Sequence, residues 1–79
     1  MVKLTLYIND NCELCDEALQ SIELVRQDVD LLLDVVSIAK DDELQRKYML
    51  EVPVLLIDGE QKFQGQITYG ELLETLLDE

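Results

Sequence analysis

The 79-residue sequence predicts one α/β domain over residues 1–79, a four-stranded mixed sheet with helices on both faces, in the order β-α-β-α-β-β-α. Three observations lead there. Short runs rich in Leu, Val, Ile, Thr and Tyr, at 3–8, 31–37, 54–57 and 61–64, are each bounded by turn-forming residues, as strands are. Between and after them, apolar residues recur at helical spacing. Asp58-Gly59 separates the last two runs with the dipeptide that two-residue hairpins favour. Apolar residues make up 48% of the chain, enough for a small core in a domain near the lower size limit for folding unaided.

Lys3 to Ile8 reads as the first strand, and Asn9-Asp10-Asn11 as a turn in which Asn11 or Asp10 caps the following helix. That helix is expected from about Cys12 to Arg26, with Leu14, Ala18, Ile22 and Val25 on its apolar face and Leu19 widening it. Gln27 to Asp30 links it to a second strand, Leu31 to Ser37. Asp41-Asp42-Glu43 followed by Arg46-Lys47 puts acids at one end of a short helix and bases at the other, matching the helix dipole, with Leu44 and Tyr48 as an i, i+4 apolar pair. Val54 to Ile57 and Gln61 to Gln64 form the hairpin. Thr68-Tyr69-Gly70-Glu71 fits a capping box ahead of Leu72, Leu73, Leu76 and Leu77. The first β-α-β unit should cross over right-handed between parallel strands, and the hairpin should add an antiparallel pair.

The two cysteines, Cys12 and Cys15, are the only ones in the chain and sit where the first strand gives way to the first helix. A thiol at a helix N-terminus feels unpaired N–H groups and the positive end of the dipole, which favour the thiolate. A second thiol three residues on lies on the same helical face, within reach of a mixed disulfide on the first. Asp10, Glu13, Asp16 and Glu17 oppose a further negative charge, so Cys12 is expected to be more acidic than free cysteine but less so than a strongly activated thiol. The chain has no histidine, which removes Cys-His hydrolase chemistry and His-containing zinc sites. No metal site is expected from two cysteines alone. Two cysteines are also too few for a secreted disulfide scaffold.

Pro53, the only proline, stands between Val52 and the strand that begins at Val54. A proline at the first position of a strand is tolerated whatever its isomer. A cis Val52-Pro53 bond would in addition turn backbone polar groups outwards for an extended partner.

Cys12-Glu13-Leu14-Cys15-Asp16, Val52-Pro53-Val54-Leu55, Tyr48 a few residues before the proline and the order of elements together resemble the short glutaredoxin-like proteins of the thioredoxin-fold superfamily. The resemblance extends over nearly the whole chain. It implies a thioredoxin-like fold and a thiol–disulfide oxidoreductase acting in electron transport and cell redox homeostasis. By position, Cys12 is similar to the family's nucleophile and Cys15 to its resolving thiol, and Pro53 is similar to its cis-proline. Val52 then offers backbone groups to the substrate, and Leu14 is expected to be an apolar contact beside Cys12. The chain departs from the family where glutaredoxins hold glutathione. In place of a basic residue, a Thr and a Gly-Gly-Asp-like turn it has Asn9-Asp10-Asn11, Glu51 and residues 65–70. No bound cofactor is expected, and glutathione, though possible as a reductant, would find a poor site.

The net charge of −12, from 18 acids and 6 bases, argues against nucleic acid and anionic membranes as partners. The expected partners are a protein disulfide substrate and a reductase. No targeting segment is visible, and the longest apolar stretch, Leu31 to Ala39, is broken by Asp34 and too short to span a bilayer. A cytoplasmic monomer is expected. The alternative, from a different functional class, is a non-catalytic acidic module that keeps the fold and binds a basic protein.

Overall fold

The computed structural model describes residues 1–77, with strands β1 (Val2–Ile8), β2 (Leu31–Ser37), β3 (Val54–Ile57) and β4 (Glu60–Gln64) and helices α1 (Glu13–Arg26), α2 (Asp42–Tyr48) and α3 (Tyr69–Leu77). The order of elements and the four-stranded mixed sheet are those expected from the sequence, with a 3₁₀ turn at Ile38–Lys40 added before α2. Strand order is β2-β1-β3-β4. β1 pairs in parallel with β2, from Val2 opposite Leu31 to Ile8 opposite Ser37, and antiparallel with β3, from Leu4 opposite Ile57 to Tyr7 opposite Val54.

Alternation along the strands sorts the side chains into two cores. Leu4, Leu6, Leu55 and Ile57 face α1 and α3, where Ala18, Ile22 and Val25 meet Leu72 and Leu76. The opposite face carries Tyr7, Val54 and Leu56, which pack with Ile38, Leu44 and Tyr48 from the α2 side. Helices therefore cover both faces, but α2 covers its face only near the end of β1 that leads into the cysteines. Leu32 on β2 is left more than half exposed.

Turns and caps explain where the elements stop. Asp58 and Gly59 have φ of 50° and 86°, both left-handed, as a twisted two-residue hairpin requires. Asp58 also extends the β1 ladder: its N–H donates to the Lys3 carbonyl at 2.8 Å, and its carboxylate accepts from the Lys3 N–H at 3.0 Å. A bulge between Leu55 and Leu56 shifts the β3–β4 register. Asp41 caps α2 by accepting from the N–H groups of Glu43 and Leu44. Thr68 accepts from the Glu71 N–H at 3.3 Å, one half of the expected capping box.

Ile22 is fully buried between the sheet and α3, so Ile22→Ala should lower the unfolding free energy by about 2–5 kcal/mol in a urea titration, with the slope unchanged.

Candidate redox-active site

The site begins where β1 ends. Asn9 accepts from the Asp10 N–H at 2.9 Å and from the Gln45 side chain of α2 at 3.5 Å, which ties the turn to the helix below it. Asn11 takes a left-handed φ of 54°, a conformation that asparagine tolerates better than most residues. The cap of α1 then falls on Cys12, which is extended, and its Sγ accepts from the Cys15 N–H at 3.1 Å. This corrects the expectation that Asn11 or Asp10 would cap the helix. With Asn11 spent on the turn, the next residue is the first in extended conformation and faces the free N–H groups.

Cys12 and Cys15 are joined in a disulfide with their Cα atoms 5.2 Å apart. Their surroundings differ. Cys15 is 2% exposed and belongs to the core face of α1, whereas Cys12 is partly exposed at the helix end. Only Cys12 is open to a large partner. Leu14, between the two cysteines in the chain, is 41% exposed.

The second half of the site is the turn into β3. The Val52-Pro53 peptide bond is cis. Because Tyr7 pairs with Val54 in antiparallel register, Pro53 falls opposite Ile8, at the same end of the sheet as the cysteines. Pro53 is fully buried, and its carbonyl accepts from the Gly65 N–H at 2.9 Å. That N–H also lies 3.1 Å from the Glu51 carbonyl, so Gly65, at a left-handed φ of 74°, clamps both sides of the turn. The Val52 N–H donates to the Tyr48 carbonyl at 3.0 Å. The Val52 N–H is thereby engaged within the chain.

Tyr48 joins the two halves, a role its sequence position does not reveal. Its carbonyl accepts from both Glu51 and Val52, and its ring stacks on Tyr7 of β1 with centroids 4.8 Å apart and planes 20° from parallel. Lys47 lies over the same ring at 5.1 Å. Tyr48 is buried, while Tyr69 stands at the surface and donates to Asp28 at 3.3 Å. Desolvation and then the Asp28 carboxylate raise the Tyr69 hydroxyl above its ordinary pKa. Asp10, Glu13, Asp16 and Glu17 are all exposed around the start of α1. Among the described residues, no three or more His, Cys, Asp or Glu side chains come together as a metal site. No helix among them is long and apolar enough to cross a membrane.

With the cysteine pair and the cis-proline turn at one end of the sheet, comparison with known proteins becomes informative. The sequence model of the glutaredoxin-like domain (DUF836) matches residues 3–77. The chain belongs to this family. The crystal structure of the structural-genomics target protein XcR50 from X. campestris is 30% identical over 96% of this chain and 97% of that one, with a TM-score of 0.80. A mutant thioredoxin from Halobacterium salinarum NRC-1 is 22% identical over 98% of this chain and 73% of that one, with a TM-score of 0.73. Thioredoxin-2 of the malaria parasite, described as a component of its protein secretion machinery, is 15% identical over 100% of this chain and 84% of that one, also with a TM-score of 0.73. These two thioredoxins share the fold with this glutaredoxin-like domain. No curated protein matches the chain.

The Tyr7–Tyr48 stack should contribute beyond simple burial. Tyr48→Leu is expected to cost about 0.5–1.5 kcal/mol more than Tyr48→Phe in urea unfolding, because phenylalanine keeps the ring pair.

Proposed function

We propose that this glutaredoxin-like protein is a thiol–disulfide oxidoreductase that cycles Cys12 and Cys15 between dithiol and disulfide to reduce protein disulfides or mixed disulfides. The observation that carries this reading is the asymmetry of the pair: one sulfur at an accessible helix cap, its bonded partner 2% exposed behind it. An exposed sulfur can form the intermolecular bond, and a sheltered one is reserved for the intramolecular step.

The chemistry follows from that arrangement. In the dithiol form, the Cys12 thiolate attacks one sulfur of a substrate disulfide. A mixed disulfide forms, and the other substrate sulfur leaves as a thiolate that takes up a proton. Cys15 then loses its proton and attacks the Cys12 sulfur. The remaining substrate thiolate is released and the Cys12–Cys15 bond closes, so that two electrons have passed to the substrate. The unpaired N–H groups at the start of α1 stabilise Cys12 as the attacking thiolate of the first step; in the second the negative charge passes from Cys15 to the departing substrate sulfur. Leu14 meets the substrate as an apolar contact, and Val52 accepts from it through its carbonyl beside Pro53.

A dithiol reductase of the thioredoxin-reductase type restores the protein by donating two electrons to the disulfide. Glutathione suits this role less well. It is anionic, and Asn9-Asp10-Asn11 and Glu51 occupy positions where glutaredoxins carry donors for a carboxylate ligand. The protein acts as a monomer in the cytoplasm, where reduced thiols are maintained.

The deciding experiment equilibrates the protein across a glutathione redox ladder and counts thiols by differential alkylation. A reversible Cys12–Cys15 disulfide with a midpoint of about −120 to −270 mV is expected. Cysteines that stay reduced, or take up glutathione without closing the bridge, would overturn the dithiol mechanism and favour the acidic binding module. Cys12→Ser should abolish turnover, whereas Cys15→Ser should accumulate a mixed disulfide on Cys12 that mass spectrometry detects. Raising the salt concentration should speed reduction of an anionic disulfide and slow that of a cationic one, measured as kcat/KM.

A further inference from the structure

We infer that a groove along the outer face of α1 receives the chain that flanks the substrate's disulfide, and that this chain carries lysine or arginine followed by an apolar residue. The inference rests on the oxidoreductase reading for its chemical step and supplies the substrate class. The groove is a shallow hollow, open to solvent, between side chains of α1 and its C-terminal cap: Leu19, Gln20, Glu23, Leu24 and Gln27. A second hollow of 310 Å³ shares Gln20 and Leu24 and reaches Glu17 and the loop before α3.

Helix geometry places the groove relative to the reacting sulfur. At about 100° per residue, Asp16, Leu19, Gln20, Glu23, Arg26 and Gln27 fall within roughly 80° of Cys12, and Glu13, Leu24 and Glu17 at roughly 100–140° on the side away from Cys15, Ala18, Ile22 and Val25. At about 1.5 Å of rise per residue, Asp16 lies ~6 Å along the axis from Cys12 and Leu24 ~18 Å. An extended chain advances ~3.3 Å per residue. A segment leaving the Cys12 mixed disulfide therefore passes Asp16 after about two residues and reaches the groove after about five.

What it meets there is specific. Leu24 is 51% exposed and lies outside the core positions of α1, so with Leu19 it offers an apolar floor. The two hollows carry the acids Glu17 and Glu23 and no basic lining residue. Glu23 has one neighbour of opposite charge, Arg26 at 3.0 Å, in a pair that is about half exposed on both sides and weakly held. Between groove and disulfide stand Glu13 and Asp16, both exposed. An acidic segment is repelled by Glu13, Asp16 and Glu17 in excess of the single base Arg26, whereas a basic one is drawn to them, with its apolar side chain seated against Leu24.

The test uses two synthetic peptides, each with one cysteine joined to 2-mercaptoethanol as a mixed disulfide. One carries Lys two and three residues from the cysteine and Leu five residues from it; the other carries Glu and Ser at those places. Both are made in both chain directions. At low salt the reduced protein should reduce the Lys/Leu peptide with at least a tenfold higher kcat/KM in one direction. Leu24→Ser should shrink the ratio about threefold or more, and so should the double variant Glu17→Gln/Glu23→Gln. Equal rates in both directions, or a preference that both variants leave intact, would overturn the groove. Fluorescent Cys→Ser versions of the peptides, titrated against the oxidised protein by anisotropy, report binding without turnover. A Lys/Leu preference in that titration upholds the groove even if the reduced protein fails to reduce bis(2-hydroxyethyl) disulfide. That failure would instead sink the oxidoreductase reading.

Discussion

The structure depends on β1 being hydrogen-bonded along both edges. Its parallel partner β2 requires a crossover, and α1 supplies it; its antiparallel partner β3 enters from the opposite direction. The C-terminal end of β1 is therefore also the N-terminal end of β3. That coincidence brings the turn at 9–12 and the turn at 51–53 together, although some forty residues separate them in the chain. Leu4 and Leu6 hold the arrangement by burying their side chains completely between the sheet and two helices. A one-residue slip would turn both leucines to the other face, so the hydrophobic pattern sets the register.

On that frame, rigidity and accessibility are distributed unevenly around the two sulfurs. The side behind the site is bound tightly: Cys15 in the core, Pro53 buried, Tyr48 stacked on Tyr7 while its carbonyl gathers two N–H groups, and Gly65 spanning the proline turn. The front is open and apolar in places, with Leu14 at 41%, Met49 at 54% and Leu50 at 92% exposed. Two opposing fields meet at Cys12. The helix end favours negative charge, and the surrounding carboxylates oppose it. The first acts at close range, through the Cys15 N–H 3.1 Å from the sulfur, while the second acts through exposed side chains screened by water.

Much of the fold was legible in the chain. Alternating apolar runs and helical spacing located every strand and the three helices, the Asp-Gly signal marked the hairpin, and the acids at 41–43 marked the start of α2 where the structure has them. Errors lay at boundaries. The first strand begins at Val2 and the fourth at Glu60, one residue earlier than the pattern suggests, because backbone pairing continues past the last informative side chain. The 3₁₀ turn at Ile38–Lys40 follows directly on β2 within one apolar run, which gave no break to read. In the site, the cysteine spacing and the lone proline were visible. The Gln45–Asn9 contact and the Tyr7–Tyr48 stack were not, since nothing local in a sequence marks partners 36 or more residues apart.

By itself, then, the sequence determined the local chemistry: two thiols at a helix start, a proline before a strand, a chain of net charge −12, and elements in an order that few topologies accommodate. These are properties of residue type and short-range spacing, which the backbone expresses wherever it folds. Tertiary structure alone decided that Cys12, not an asparagine, caps α1, that Cys15 is sheltered while Cys12 is not, and that the Val52-Pro53 bond is cis. It also decided that the Val52 N–H is taken by Tyr48. Each of these depends on which distant groups compete for the same N–H, the same volume or the same face of the sheet, and that competition exists only once β1 has brought its neighbours together.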